Sequence, residues 1–260
     1  MKQGLGIVPK TERDINKIRL ETYVHNLDNN FDRPVDEIIE DLKVRLNKEY
    51  EDHTHWLELD KNDFKKFEEI EEIANQTGHS IHQQMFEHIQ TARYIEDELI
   101  ALYEMKIIYT FKHLEINLKN LISTAYNDKS VTKSYKWWNL NQYLKNKNID
   151  LKKVNSYNEI NQLRILNNSI KHSNNSKNED LKSIPEFKSN SRNNYKILEK
   201  FYDRIKTSNY EFIQSLSSKI LKELYEYDVD KIQNIAKELV LKMDKKQTDL
   251  LIEEINRIQK

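Results

Sequence analysis

At 260 residues the chain is long enough for one large or two small domains with a real core. Its formal net charge of −1 carries no global basic signal for nucleic acid, so any RNA contact must come from a local patch. The lack of cysteine excludes disulfides, cysteine-type zinc fingers and thiol catalysis.

Three glycines and three prolines are far fewer than the turns of a sheet protein need. The composition therefore predicts an all-α fold, an elongated bundle of long helices joined by short polar loops. No segment approaches the roughly 18 apolar residues of a membrane span, and the N-terminus lacks the apolar run of a secretory signal. A soluble, cytoplasmic protein with no membrane partner is expected.

Residues 1–33 are weakly patterned. Ile15, Ile18 and Leu20 suggest a short helix, and the run from Asn26 to Asp32 reads as a loop. Pro34 at a first helical position opens a helix over 35–46, with Ile38, Ile39, Leu42 and Leu46 at helical spacing. His53 and His55 then read as a surface-loop pair. Their i,i+2 spacing would suit a strand-like metal clip, but spacing places no third ligand, and no metal is assigned. Asp63 caps a helix ending at Gly78, with Phe64, Phe67, Ile70 and Ile73 facing inward. Residues 1–78 are thus expected to form an N-terminal helical extension.

From Ile81 to Tyr126 apolar residues step by three or four without interruption, which predicts one very long scaffold helix. Its N-terminal half suits a coiled surface for a partner. His79, His82 and His88 near its start read as surface residues. Glu115 reads either as a solvated carboxylate or as a group that holds Arg164. After a polar loop at 127–134, the segment Tyr135-Lys136-Trp137-Trp138 opens a short aromatic helix. Paired tryptophans plug a core or an interface, and aromatics mixed with basic residues can also stack single-stranded bases.

The stretch from Asn158 to Ser173 sorts into two helical faces. Leu163, Leu166 and Ile170, with Ile160 at the edge, make an apolar stripe. Arg164, Asn168, Lys171 and His172 fall within roughly a 100° arc on the other side, joined by Asn161 and, if the helix extends that far, Asn175. An ordinary solvated face carries Glu/Lys pairs, yet this one has a guanidinium, an ammonium, an imidazole and amides with no carboxylate among them. Such a face can hold a phosphate, and its imidazole can move a proton near neutral pH.

Beyond it, residues 177–194 read as a mobile loop, with Arg192 as a further phosphate contact. A single long helix is expected over 195–224. Residues 227–260 form an amphipathic hairpin that caps the bundle, dimerises or binds a partner. No Gly-rich phosphate loop, His-Glu-x-x-His, nucleophile elbow or kinase motif set is present, and no cofactor is expected.

The run Leu163-Arg164-x-Leu166-x-Asn168-x-Ile170-Lys171-His172-Ser173 resembles the signature helix of the HEPN superfamily. That family is all-helical and usually dimeric, and many members are metal-independent ribonucleases of toxin–antitoxin and phage-defence (abortive infection) systems. The resemblance is concentrated at 160–173, and residues 79–226 would form the HEPN-like domain. It implies an endoribonuclease acting on RNA, in which His172 transfers protons and Arg164 clamps the phosphate. Lys171 would add positive charge and Asn168 would orient the phosphate or the imidazole, leaving a 2′,3′-cyclic phosphate without any metal.

The resemblance also implies a homodimer and an antitoxin or defence-complex partner. Seven residues (165–171) separate Arg164 from His172, more than in the family motif. On a straight helix this gap sets their Cα atoms about 12 Å apart. Opposing two signature helices across a two-fold axis would let each site draw on both chains. The alternative is a catalytically inactive HEPN-like scaffold or regulatory subunit that binds a partner protein.

Overall fold

The computed structural model describes residues 11–23, 31–133, 136–172, 179–189, 191 and 193–258. The loop expected at 26–30, the run 173–178 with Asn175, and Arg192 lie outside the described residues.

Among the described residues there is no strand, and the fold is all-α. Helices α1 (Glu12–Tyr23), α2 (Asp32–Asn62) and α3 (Phe64–Gln76) precede the 46-residue α4 (Ile81–Tyr126). Then come α5 (Trp137–Lys145), α6 (Tyr157–His172), α7 (Tyr195–Ile205) and α8 (Ser208–Tyr225), followed by α9 (Val229–Val240) and α10 (Lys245–Ile258). No helix is long and apolar enough to cross a membrane.

The expected scaffold helix is α4, about 70 Å long at 1.5 Å per residue. Ser80 at its N-cap accepts the Gln83 N–H, and Asn127 ends it in the left-handed region at φ 50°. The stripe from Ile95 through Leu99, Ile107, Leu114 and Leu118 to Leu121 is buried along its whole course. Along its N-terminal half, where a partner-binding surface was expected, the chain's own α2 packs on one side while Phe86 and Tyr94 stay exposed. There α2 runs antiparallel to it, with His88 bonded to Glu49 at 2.7 Å, Tyr50 to Glu96 at 3.1 Å, and the buried Lys106 ammonium on Asp36. Lys106 also lies 4.2 Å from the Tyr202 ring centroid. Leu20 of α1 and Val35, Ile39, Leu42 and Leu46 of α2 join the same core as α4, α6, α7 and α8.

Several local expectations change. The helix opened near Pro34 continues to Asn62, so His53 and His55 are helical. Two residues apart on a helix, side chains diverge by roughly 200°, which removes the clip geometry. Asp63 caps α3 as expected, accepting the Lys66 N–H at 3.2 Å. Phe67 is buried, but Phe64 and Ile73 are exposed, because α3 rests on its neighbours through a narrow stripe. The segment expected to be mobile at 177–194 forms 3-10 turns at Glu179–Ser183 and Pro185–Phe187. It is anchored by Leu181, Ile184 and Phe187 in the core.

The helix expected over 195–224 is broken between α7 and α8 at Lys206-Thr207, although Leu198 and Ile205 before the break and Leu216 and Ile220 after it are all buried. Thr207, Ser208 and Asn209 are poor helix formers that favour caps and turns. The C-terminal pair α9–α10 forms as expected, with Asp228 capping α9, yet no residue of either helix is buried.

The α3–α4 junction rests on one carboxylate. Glu71 accepts from the Ile81 N–H at 2.6 Å and the Ser80 hydroxyl at 2.7 Å, and lies 3.1 Å from His82 Nδ1. Burial pushes its carboxyl up, but the bonds from Ser80, His82 and Ile81 outweigh that and hold it at about 2. A carboxyl depressed in the folded state stabilises the fold above its unfolded value and loses that contribution as pH falls through the folded value. Glu71→Gln is therefore expected to cost about 1–2 kcal/mol at neutral pH. In thermal melts, the gap from wild type should close as pH falls from 4.5 to about 2. A gap constant with pH would show that the charge is not what holds the junction.

Candidate functional site

Helix α6 carries the candidate face, and its apolar side fixes how that face is presented. Ile160, Leu163 and Leu166 are fully buried against α4, α7 and α8, and Ile170 is half-buried. A polar chain anchors the same helix from behind. Gln162 accepts from Arg204 Nη2 at 2.9 Å, and Arg204 grips the buried Glu186 carboxylate through Nε at 2.6 Å and Nη2 at 2.9 Å. Burial pushes the Glu186 carboxyl up, but the Arg204 bonds outweigh it and hold it below the usual range.

On the opposite side, Arg164 and Asn168 open into a cavity of about 310 Å³, within the size range of small-molecule sites. Helix α4 supplies Phe111 and Glu115, one turn apart on one face. Trp137, Trp138 and Leu140 enter from α5, with Lys136 at its N-cap. Trp137 is half-buried and its ring lies 6.4 Å from that of Phe111. Trp138 is 65% exposed and forms an open aromatic wall.

The polar groups are already oriented. Arg164 donates to Asn161 Oδ1 through Nε at 3.3 Å and Nη2 at 2.9 Å, which holds the guanidinium plane. Among the described residues its Nη1 meets no acceptor. Glu115 is paired with Lys119 at 2.6 Å. It shares the cavity with Arg164 but does not hold it.

Asn168 Oδ1 accepts from Asn167 Nδ2 at 3.3 Å, which turns the Asn168 amide N–H groups outward. Asn167 itself is 1% exposed, and its Oδ1 has no hydrogen-bond partner among the described residues. An unsatisfied buried amide oxygen costs about 1–3 kcal/mol.

The four sequence-predicted site residues divide. Arg164 and Asn168 line the cavity, whereas Lys171 and His172 are exposed in the last turn of α6, outside it. His172 lies one turn beyond Asn168 on the same face, about 6 Å along the axis. Helix α6 is unbroken from Tyr157 to His172, so no kink shortens the distance from Arg164. Sequence reasoning offered Glu115 as a possible neighbour of Arg164 but did not join Lys136 and the tryptophans to either. The i,i+4 spacing of Phe111 and Glu115 was the available signal. Among the described residues no three His, Asp or Glu side chains gather as a metal site.

The cavity thus joins a guanidinium held by Asn161, the exposed Lys136 ammonium, amide N–H donors, a carboxylate and an exposed indole, groups suited to a nucleotide carrying both a phosphate and a flat base. Its frame depends on the Glu186–Arg204 pair. Arg204→Met should cost about 2–3 kcal/mol in urea denaturation by removing two charge-assisted bonds. A loss under about 0.5 kcal/mol, as at an ordinary surface site, would mean that α6 is held by its apolar face alone. Compared with protein-family models, with curated proteins and with solved structures, the chain has no match.

Proposed function

We propose that this protein is a metal-independent endoribonuclease of the HEPN type. The observation that carries the reading is the opening of Arg164 and Asn168 into a cavity with Lys136, Trp137 and Trp138. RNA brings its own nucleophile. The 2′-oxygen attacks the adjacent phosphorus, the P–O5′ bond breaks, and the products are a 2′,3′-cyclic phosphate and a 5′-hydroxyl. The protein must place the phosphate, offset its charge and move one proton off the 2′-oxygen and one onto O5′.

Arg164 binds the phosphate with the edge its bonds to Asn161 leave available, and Lys136 adds positive charge from α5. Asn168 offers amide N–H donors to the same substrate. His172, with Lys171 beside it, transfers protons, a role worth about 10²–10⁴-fold. Because the straight helix separates Arg164 from His172, the working site pairs Arg164 of one protomer with His172 of a second across a two-fold axis. A toxin or antiviral defence role in the cytoplasm follows from that family reading, with an antitoxin or defence complex as its controlling partner.

The test is incubation of wild type, Arg164→Ala and His172→Ala with total RNA in EDTA, with mapping of the new ends. Wild type is expected to leave cyclic-phosphate ends. His172→Ala should lose about 10²-fold or more of that activity while melting at the wild-type temperature. Equal cleavage by wild type and His172→Ala removes His172 from the mechanism.

A second reading, a non-catalytic scaffold that binds a partner protein, is favoured by the α9–α10 hairpin. Its Ile232, Ile235, Leu250 and Ile255 are all exposed. On that reading His172→Ala is silent, and no RNA is cut under any condition.

A further inference from the structure

Resting on the RNA reading above, we infer that the α4–α5–α6 cavity is a base-recognition pocket selective for guanine. The four bases share a flat face, which an exposed indole such as Trp138 accepts without discrimination. Their edges differ. Guanine alone presents two adjacent N–H donors, N1–H and the N2 amine, beside a carbonyl acceptor at O6. The cavity offers the complementary pattern.

Glu115 brings a carboxylate, the one side-chain group that accepts two parallel N–H bonds, and its 2.6 Å ion pair with Lys119 orients it. Asn168 has its carbonyl oxygen engaged by Asn167, so it faces the cavity as a donor, which O6 requires. Adenine would set its N6 amine against the Asn168 donor. Cytosine and uracil each lack the paired donors.

Arg164 and Lys136, on the rim of the same cavity, are positioned for the phosphate attached to the bound nucleoside. The pocket thus fixes which nucleotide precedes the phosphate to be cut. Glu115 is a specificity residue, not a catalytic one. It reads the base, and the chemistry at the phosphate does not pass through it.

The test is a titration of the full chain, in EDTA, with guanosine, adenosine, cytidine and uridine 3′-monophosphates, followed by tryptophan fluorescence. Guanosine 3′-monophosphate is expected to quench saturably and bind at least about tenfold tighter than the other three. Glu115→Gln should retain quenching but bring the four affinities to within about threefold of one another. Trp138→Ala, at a surface position, should weaken the guanine nucleotide by about tenfold or more with no change in melting temperature.

Equal affinities for all four in the wild type, or no saturable quenching by any, would overturn the pocket. The separate cleavage assay keeps the two proposals apart. Guanine-selective binding without RNA cleavage would uphold the pocket and sink the nuclease. Cleavage without preference for any base would do the reverse.

Discussion

The continuous apolar stripe of α4 is the constraint on which the structure depends. A helix of about 70 Å with apolar residues at every turn from Ile81 to Ile122 cannot remain in water, and no single neighbour can cover it. Helix α2, at 31 residues, lines part of its length, while α6, α7, α8 and α1 close over other parts. Each buried residue of this kind contributes about 1.5–3 kcal/mol, which gives the stripe more leverage than any exposed ion pair. Where polar groups interrupt it, they are answered in place. Lys106 meets Asp36 and the Tyr202 ring, and Asn209 donates to the Thr110 carbonyl at 2.9 Å.

The same stripe sets the geometry of the candidate site. Phe111 belongs to the buried stripe, and Glu115 lies one turn on. The cavity forms where Trp137 of α5 approaches Phe111 of α4, their rings 6.4 Å apart, while α6 packs on α4 with Leu163 and Leu166 buried in the same core. That arrangement leaves the Arg164 face of α6 looking into the gap between them. The Glu186–Arg204–Gln162 chain adds a polar tie between α6 and α7 on the side away from the cavity.

How much of this was legible in the sequence follows from what periodicity can encode. The bounds of α4, the buried side of α6 and the hairpin of α9 and α10 were readable, because each depends on spacing within one segment. The break at Thr207 was not, since the apolar period runs through it and only the weak helix preference of Thr-Ser-Asn marks the spot. The 3-10 turns around Pro185 were hidden because their anchors, Leu181, Ile184 and Phe187, lack helical spacing over a long enough run. The candidate site was half legible. Arg164, Asn168, Lys171 and His172 share one face of one helix, which a helical wheel shows. That Glu115 and Lys136 face the same cavity is a fact of three-helix packing, which single-segment patterns do not carry.

If the proposed ribonuclease reading holds, the separation along α6 divides the work of the site between its two ends. For an RNA strand, the Arg164 end is walled by aromatics and charge, whereas the His172 end is open to solvent and to other chains. On the proposed ribonuclease reading, binding energy would be concentrated at a nucleotide held away from His172 of the same chain, the group proposed to transfer protons. A group outside the cavity gains nothing from the cavity's positioning unless a second molecule brings its equivalent in. One protomer would therefore bind RNA without cutting it, and assembly would supply the missing imidazole. Such an arrangement, as proposed, would tie activity to the concentration of dimer, so any contact that favours or blocks pairing of the α6 faces would control cleavage without touching the cavity.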